Sequence, residues 1–478
     1  MERGIVMIEN NRYLQRLNDG RNIWLDGDII KNVAEHPAFQ GTVQTIQSLL
    51  DLQTKTGSKS LLTYKTEQGL DANLSFFVPR THEDLEKKRL AYQHWADQTF
   101  GVMSRLSEYS RSIITGWFAN RSEYEDAHPG FSEKIESYYY QSRNLDLLST
   151  VAGHDPQKDR SKTAGEKKPG IVHISRKNRE GIYVRGAKMI ATAAPYVDEI
   201  LIFSYHKRGE NEREFANVFF VPVNAKGLHI VCRESFADER EEDHPLSARF
   251  DEMDAVLIFD DVFIPWERVL VQEDPEFAWK LRCDAPSSLL SQHQTVVRLV
   301  SKLESVAAIG NELAETAGAT QFLHVKEKLA ELIIQLETIK ALLLASEYKA
   351  KIHNGIMLPD QDFLTTARNL GTRFYPRALE IIQQIGAGGL LQVPSSLKEL
   401  EGPIGPLLKE YYQGTETSAE DRTRLIKLSW DLLGSPLASR HELYERFYSG
   451  DPVRTYAAQY TNYKKKQNLV DYAYEILK

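Results

Sequence analysis

Cysteine is scarce in this chain of 478 residues, which contains only Cys232 and Cys283. Two thiols are too few to hold an iron–sulfur cluster by its usual four thiolate ligands, and no other metal site is expected. Such sparse cysteine usage fits a reducing compartment. We therefore expect both cysteines to be free, buried thiols.

Long apolar runs are also missing. The most apolar segment, residues 332–345, is interrupted by Gln335, Glu337 and Lys340, whereas a membrane helix needs about 18 continuous apolar residues. The first residues, MERGIVMIENN, place both charge signs ahead of only four apolar residues, too few for the core of a signal peptide. The sequence therefore predicts a cytoplasmic protein without a membrane partner.

An excess of basic charge is missing as well, because the net charge is −8 and the Lys and Arg residues are interspersed with acids. This distribution provides no basic surface for nucleic acid. No glycine-rich dinucleotide fingerprint follows a predicted strand, so a nicotinamide cofactor is not expected in this chain. With 42% hydrophobic and 26% charged residues, the chain has the composition of an ordinary globular protein.

The hydrophobic periodicity changes twice along the chain, which predicts three domains and an α+β fold class. Residues 1–150 follow helical spacing, including one long helix over residues 85–115. Residues 151–277 alternate as strands do, which predicts a β-barrel or sandwich. Residues 278–478 return to helical spacing, so we expect a C-terminal helical bundle and tail.

The stretch Gly181–Pro195, GIYVRGAKMIATAAP, has the strongest local signal of the strand region. It predicts two short strands joined by a tight turn at Arg185 and Gly186, where glycine supplies the positive φ of the turn. The second strand ends at Thr192. A hydroxyl at the end of a buried strand can offer one hydrogen bond to a planar group lying across the sheet.

With the upstream motif DPQKDRSK, this stretch resembles the middle β domain of the acyl-CoA dehydrogenase-like flavoproteins. Within that fold it resembles the large component of the reduced-flavin-dependent 4-hydroxyphenylacetate 3-monooxygenases. Further matching motifs, in the family's order, are Tyr13–Asp28, Asp243–Val269 and Leu443–Arg454. The resemblance covers almost the whole chain and implies an N-terminal helical domain, a middle β-barrel domain and a C-terminal helical bundle.

The resemblance implies that Arg105 and Tyr109 bind the phenolic oxygen of a substrate. The two residues are four apart on a predicted helix and share a face, although alone they would more simply form an exposed surface pair. A free phenol has a pKa of about 10, so holding it ionised at neutral pH needs roughly 4 kcal/mol. A guanidinium and one hydroxyl donor supply energy of that order.

His293 is a third catalytic candidate by resemblance, although a lone histidine is more often a structural hydrogen-bonding residue. In the related 4-hydroxybutyryl-CoA dehydratases the same segment supplies a cluster-binding cysteine, and this chain has Val300 there. The dehydratase interpretation is therefore excluded.

Two segments are expected to bind the flavin, again by resemblance. One is a polar loop and the other a turn between helices. Without a ligand, each would be an ordinary loop or turn. Thr192 is expected near the isoalloxazine N5. The remaining expected flavin-binding residues are Gln157, Lys158, Asp159, Arg160, Ser449, Gly450, Asp451 and Pro452.

One position departs from the family pattern. Relatives carry a histidine six residues before the glutamine of this motif, where this chain has Val151, and His154 stands three residues later. A structural His154 and a displaced catalytic His154 are equally compatible with the sequence. The missing histidine also leaves open a flavin-binding subunit without catalysis.

The function that the resemblance implies is that of the oxygenase component of a two-component flavin monooxygenase. Reduced FAD would come from a separate NAD(P)H–flavin reductase, O2 would add to it as a C4a-hydroperoxide, and a phenol such as 4-hydroxyphenylacetate would be ortho-hydroxylated to a catechol. A homotetramer is expected from the same resemblance. The alternatives are an acyl-CoA dehydrogenase-like flavoenzyme and a hydroxylase of a halogenated phenol.

Overall fold

The computed structural model describes residues 12–157, 159, 161, 166 and 170–478. The chain forms two compact units: Met1–Gln294 with Ile352–Leu358, and Thr295–Lys351 with Pro359–Lys478. The division into three domains stays a prediction. No helix of the described residues is long and apolar enough to cross a membrane. Both cysteines are free, but Cys283 is exposed and Cys232 only half-buried, so the expectation of buried thiols is wrong.

Helices and strands alternate in the first unit. Its helices are α1 (Arg12–Arg16), α2 (Pro37–Asp51), α3 (Lys59–Leu62), α4 (His82–Gln98), α5 (Glu108–Ala119), α6 (Ser122–Glu125), α7 (Phe131–Asn144), α8 (Ser247–Phe250), α9 (Pro275–Arg282) and the start of α10 (Ala285–Thr316).

The N-terminal cap of α4 explains where this helix begins. The Thr81 hydroxyl accepts from the Asp84 amide at 3.1 Å, and the Asp84 carboxylate accepts from the Thr81 amide at 3.0 Å. The prediction of one continuous helix over residues 85–115 is wrong. The chain turns at Phe100 and Gly101, whose φ angles of +54° and +66° do not occur inside a right-handed helix.

The strands form two larger sheets and two small hairpins. They are β1 (Ile23–Leu25), β2 (Asp28–Ile30), β3 (Thr63–Lys65), β4 (Asp71–Asn73), β5 (Ser149–Ala152), β6 (His173–Lys177), β7 (Gly181–Thr192), β8 (Glu199–Ile202), β9 (Val218–Pro222), β10 (Leu228–Cys232), β11 (Asp254–Pro265), β12 (Val269–Val271), β13 (Lys351–His353) and β14 (Ile356–Leu358). The six-stranded sheet has the order β2-β1-β10-β11-β7-β6, and the four-stranded sheet has the order β12-β9-β8-β5.

The two larger sheets pack against each other. The rings of Phe219 and Phe259 meet edge to face at 6.1 Å, and the Thr150 hydroxyl donates to the Thr192 carbonyl at 2.7 Å. Over the described residues both sheets are open, so the strands form a sandwich and the closed β-barrel that we expected is not found.

Strand β7 differs from the predicted pair of short strands, because it is continuous and pairs with β11 along its length. Gly186 has the expected positive φ, +115°, but for a different reason. A Cβ at this position would lie 2.4 Å from the Ile171 carbonyl oxygen, so the residues before β6 approach too closely for any side chain. Ile190 also has a positive φ, +57°, which is rare for a β-branched residue.

The second unit is helical, which confirms the predicted helical C-terminal region. It contains the rest of α10, α11 (Leu323–Tyr348), α12 (Gln361–Gly386), α13 (Gly405–Tyr411), α14 (Ala419–Leu433), α15 (Pro436–Phe447), α16 (Pro452–Asn462) and α17 (Lys466–Ile476). Helices α10 and α12 pack closely at Gly371, where a Cβ would lie 2.5 Å from Leu299.

Candidate active site

Arg105 and Tyr109 come together where the segment after α4 enters α5. The guanidinium carbon of Arg105 lies 4.0 Å from the centre of the Tyr109 ring. The Arg105 amide donates to a carboxylate oxygen of the buried Glu252 at 2.6 Å, which fixes the segment before the helix. The predicted pair therefore exists, but Arg105 precedes α5 and does not share a helix face with Tyr109.

Tyr205 joins this pair and was not among the predicted residues. A side-chain hydrogen bond connects it to Tyr109, and the guanidinium of Arg282 lies 5.1 Å from its ring centre. Burial, together with the neighbouring Tyr109, raises the pKa of Tyr205 to about 12. The signal that could have revealed it is Gly153, a glycine directly after a buried strand, because a Cβ there would lie 2.5 Å from the Tyr205 ring.

His154 packs against the same tyrosine, with 4.6 Å between the centres of the two rings. Burial, helped by the neighbouring His206 and Arg105, lowers the pKa of His154 to about 4, so its imidazole is neutral at pH 7. Val151, at the family's histidine position, lies in the hydrophobic core. Its packing against Tyr205 is enough to explain His154 as a structural residue. A catalytic role for His154 stays a prediction.

The polar loop that follows is anchored to β7 through Asp155. One carboxylate oxygen of Asp155 lies 2.7 Å from the Lys188 ammonium, and the other pairs with Arg208. Burial alone would raise the pKa of Asp155, but the two cations outweigh it and hold that pKa below its ordinary value. Gln157 is exposed and Asp159 accepts from the Ser161 amide at 3.0 Å.

Two of the residues predicted in this loop, Lys158 and Arg160, lie outside the described part of the chain.

Thr192 ends β7, as predicted, and is almost fully buried. Its hydroxyl donates to an Asp254 carboxylate oxygen at 2.6 Å. Because the single hydroxyl proton is used by this carboxylate, the oxygen keeps only its acceptor capacity for a further partner.

His293 is fully buried near the start of α10. Its ring centre lies 6.2 Å from that of Tyr92, whose hydroxyl shares a hydrogen bond of 2.8 Å with Ser112. The structure therefore places His293 against α4, close to the point where α4 and α5 are hydrogen-bonded. Its catalytic role stays a prediction.

The turn Ser449–Pro452 belongs to the second unit and connects α15 to α16. Gly450 has a φ of +107°, and the Asp451 carboxylate caps α16 by accepting from the Arg454 amide at 3.1 Å. Pro452 is the first residue of that helix. These contacts describe an ordinary turn between helices, and its role in flavin binding stays a prediction.

A cavity borders Tyr109 inside the first unit. Most of its lining is apolar, and one guanidinium and three serine side chains add polar groups, a combination that suits an aromatic ring with a polar substituent. The lining residues are Tyr109, Ile113, Trp117, Phe203, Val218, Ala278, Leu281, Arg282, Ser287, Ser288 and Ser291.

The fold that carries these residues is acyl-CoA dehydrogenase-like, with a two-sheet β region and a helical C-terminal region. The family model described as 4-hydroxyphenylacetate 3-hydroxylase N terminal matches residues 9–271, and the one described as its C terminal matches residues 286–478. The chain belongs to the 4-hydroxyphenylacetate 3-hydroxylase family.

Two relatives and one solved structure illustrate the likeness. The chain is 38% identical to the oxygenase component of 4-hydroxyphenylacetate 3-monooxygenase of Thermus thermophilus, over 93% of this chain and 92% of that protein. It is 34% identical to a (3S)-3-amino-3-(3-chloro-4-hydroxyphenyl)propanoyl-carrier-protein monooxygenase of Streptomyces globisporus, over 95% and 86% of the two chains. A solved oxygenase component complexed with FAD and 4-hydroxyphenylacetate has a TM-score of 0.93 and 38% identity, with 98% of each chain covered.

Proposed function

We propose that this chain is the oxygenase component of a two-component flavin monooxygenase. It uses reduced FAD and O2 to convert a phenol such as 4-hydroxyphenylacetate into the ortho-dihydroxylated catechol, with water and oxidised FAD as the other products. The observation that carries the proposal is the Arg105 guanidinium 4.0 Å from the ring of Tyr109, a residue that also lines a cavity with apolar, guanidinium and serine side chains.

Arg105 and Tyr109 would bind the phenolic oxygen and favour its ionised form. Lowering a phenol pKa from about 10 to about 7 requires roughly 4 kcal/mol, which a cation and a hydroxyl donor away from bulk water supply. The ionised phenol is the more reactive nucleophile at its ortho carbon. Because His154 is neutral at pH 7, the local charge comes mainly from arginine and lysine, which also favours an anionic ligand.

The residues near the end of β7 suit a reduced flavin. The Thr192 hydroxyl donates to Asp254, so toward a cofactor its oxygen acts as an acceptor. Reduced flavin carries a hydrogen on N5 and can donate to such an oxygen, whereas oxidised flavin cannot. The loop that Asp155 anchors would place Gln157 and Asp159 against the cofactor. When bound, the flavin supplies the electrons and holds the oxygen that is transferred to the ring.

The finer parts of this proposal concern partners and assembly. The Thermus relative's name, oxygenase component, implies a separate reductase for that protein. For this chain we infer an NAD(P)H–flavin reductase that delivers reduced FAD, a cytoplasmic location and a homotetramer.

We also retain the three domains with boundaries after residues 150 and 277, and the flavin-binding roles of Ser449, Gly450, Asp451 and Pro452.

The test mixes anaerobic protein carrying reduced FAD with oxygenated buffer and a panel of phenols that includes 4-hydroxyphenylacetate and its 3-chloro derivative. Catechol is quantified by chromatography and flavin oxidation is followed by stopped-flow absorbance. We expect catechol from at least one phenol. Oxidation of the flavin to FAD and peroxide with every phenol, and no catechol, contradicts the proposal.

Arg105→Met gives the residue-level test. We expect kcat/KM for the phenol to fall about 100- to 1,000-fold, because the charge stabilising the phenolate is lost, while binding of reduced FAD is retained. The matched control is Arg176→Met, since Arg176 stacks 3.4 Å from the Tyr183 ring at an exposed site on β6. Equal losses in the two variants would refute the role of Arg105.

A further inference from the structure

Tyr205 is held next to Tyr109 by its backbone as well as by its side chain. It follows β8, and its amide donates to the Gly153 carbonyl at 3.2 Å, immediately beyond β5. A side-chain hydrogen bond connects Tyr205 to Tyr109 in α5. The end of one sheet is thereby connected to the helix that carries a phenol-binding residue.

Each of the two tyrosine rings faces a guanidinium. Arg105 lies 4.0 Å from the centre of the Tyr109 ring, and Arg282 lies 5.1 Å from the centre of the Tyr205 ring. A cation over an aromatic face withdraws electron density and makes the hydroxyl a better donor. In a chain of hydrogen bonds each link also polarises the next, so a hydroxyl that accepts one bond donates the following bond more strongly.

We propose that Tyr205 is a positioning residue for Tyr109: its hydroxyl donates to the Tyr109 oxygen and directs the Tyr109 proton at the phenolic oxygen of the substrate. The inference rests on the proposed function, because it requires that Arg105 and Tyr109 bind a phenol.

The donor direction follows from the single hydroxyl proton of Tyr109: when Tyr109 donates that proton to the phenolic oxygen, it can only accept from Tyr205. With a pKa raised to about 12, Tyr205 keeps its proton throughout the range in which a phenol ionises.

Gly153 makes this arrangement possible. A Cβ at residue 153 would lie 2.5 Å from Cε2 of Tyr205, so any side chain there pushes the ring away. His154 also packs against this ring, with 4.6 Å between the two ring centres. Gly153→Ala therefore displaces the Tyr205 hydroxyl without removing it.

The experiment measures the pKa of a bound phenol by fluorine NMR, with 3-fluoro-4-hydroxyphenylacetate as the probe and anaerobic protein carrying reduced FAD. Ionisation of the phenol shifts the fluorine resonance. We expect the wild-type protein to lower the probe's pKa, and Tyr205→Phe to raise it again by about one unit, the effect of one neutral hydrogen bond. The kcat/KM for 4-hydroxyphenylacetate should fall about tenfold in parallel.

Two further variants separate positioning from folding. Gly153→Ala should reproduce the shift, and the double variant should show no further loss, because both changes remove the same bond. The control is Tyr139→Phe, which removes another buried tyrosine hydroxyl, one that donates to the Phe76 carbonyl at 2.5 Å, and should leave the probe's pKa unchanged.

The results distinguish a failure of the proposed phenol binding from a failure of the positioning role of Tyr205. If the wild-type protein does not lower the probe's pKa, the proposed role of Arg105 and Tyr109 in binding the phenolic oxygen fails and the inference fails with it, whereas the hydroxylation itself is tested by catechol formation. If the wild-type protein lowers that pKa and Tyr205→Phe lowers it equally, only the positioning role of Tyr205 is overturned.

Discussion

Around Tyr109 the balance of charge decides which neighbouring residues are ionised. Arg105, Arg282 and Lys188 contribute positive charge, and Asp155 already pairs with Lys188. Burial and these surroundings make a further cation unfavourable, so the pKa of His154 is lowered and its imidazole stays neutral. An added anion is favourable, which is the property that a phenolate site requires.

The neutral His154 makes stability depend on pH. Its pKa is about 4 in the folded protein and 6.5 ordinarily, so the unfolded chain binds more protons between these values. The stabilising contribution is complete above about pH 6.5 and is lost as the pH falls to about 4. When the pH is lowered from 7 to 4.5, the free energy of unfolding should decrease in both proteins. We expect the decrease to be about 2 kcal/mol smaller for His154→Gln than for the wild type.

Urea unfolding at the two pH values measures this difference. The control is His353→Gln, because His353 is exposed on the small hairpin β13–β14. A His154→Gln variant as acid-sensitive as the wild type would show that His154 is not kept neutral by folding.

The site was only partly predictable, for a reason that Tyr205 illustrates. Arg105, Tyr109 and Thr192 lie in motifs that carry the family resemblance, and the structure brings Arg105 and Tyr109 together. Tyr205 has no local pattern, because its contact with Tyr109 arises from the packing of a strand end on a helix. Such a contact depends on three-dimensional packing that periodicity does not encode.

At the level of secondary structure, the helical or strand character of each long segment was predictable from the sequence. The breaks within those segments were not. The capping box at Thr81 and Asp84 is an example of a local signal, because the two residues lie three apart in the sequence. The break at Phe100 and Gly101 was missed because apolar spacing continues through it. At Gly186 the need for positive φ was recognised, but a glycine suits a tight turn and a close backbone approach equally well.

Within the second unit, α10 and α15 are connected by a buried ion cluster. Arg298 and Lys302 lie 2.6 Å and 3.0 Å from the Glu445 carboxylate, and all three side chains are essentially inaccessible to solvent. Burial opposes ionisation of Glu445, but Arg298 and Lys302 outweigh it and lower its pKa to about 2. Glu445 is therefore the carboxylate that offsets two buried cations.

We expect Glu445→Gln to lower the free energy of unfolding by about 3–5 kcal/mol, because it leaves two buried cations without their carboxylate. Chemical denaturation of the full chain measures the loss. The control is Glu442→Gln on the same helix, where Glu442 pairs with Arg446 at an exposed site, and a change below about 1 kcal/mol is expected. Similar losses in both variants would refute the role of the buried cluster.

At the scale of the whole molecule, the second unit exposes many apolar side chains on α11, α16 and α17. The described residues of α16 and α17 include no buried side chain. Short helices without a buried face have little stability of their own, so packing against another surface would stabilise them. The large exposed apolar residues of α11, α16 and α17 are Leu323, Ile333, Ile334, Leu344, Tyr348, Val453, Tyr460, Leu469, Val470, Tyr472, Tyr474 and Ile476.

This distribution supports the proposed homotetramer, because apolar side chains exposed in such numbers are typical of interfaces. Size-exclusion chromatography with light scattering should give about 218 kDa, the mass of four chains of 54.6 kDa. Ile334→Lys should lower that mass to two chains or one, because Ile334 is 64% exposed on α11 and a charge there would be buried at the interface. Ile29→Lys, at a 53% exposed isoleucine on β2, should leave the mass unchanged. A wild-type mass of one chain at micromolar concentration would contradict the assembly, and equal dissociation in both variants would place the interface elsewhere.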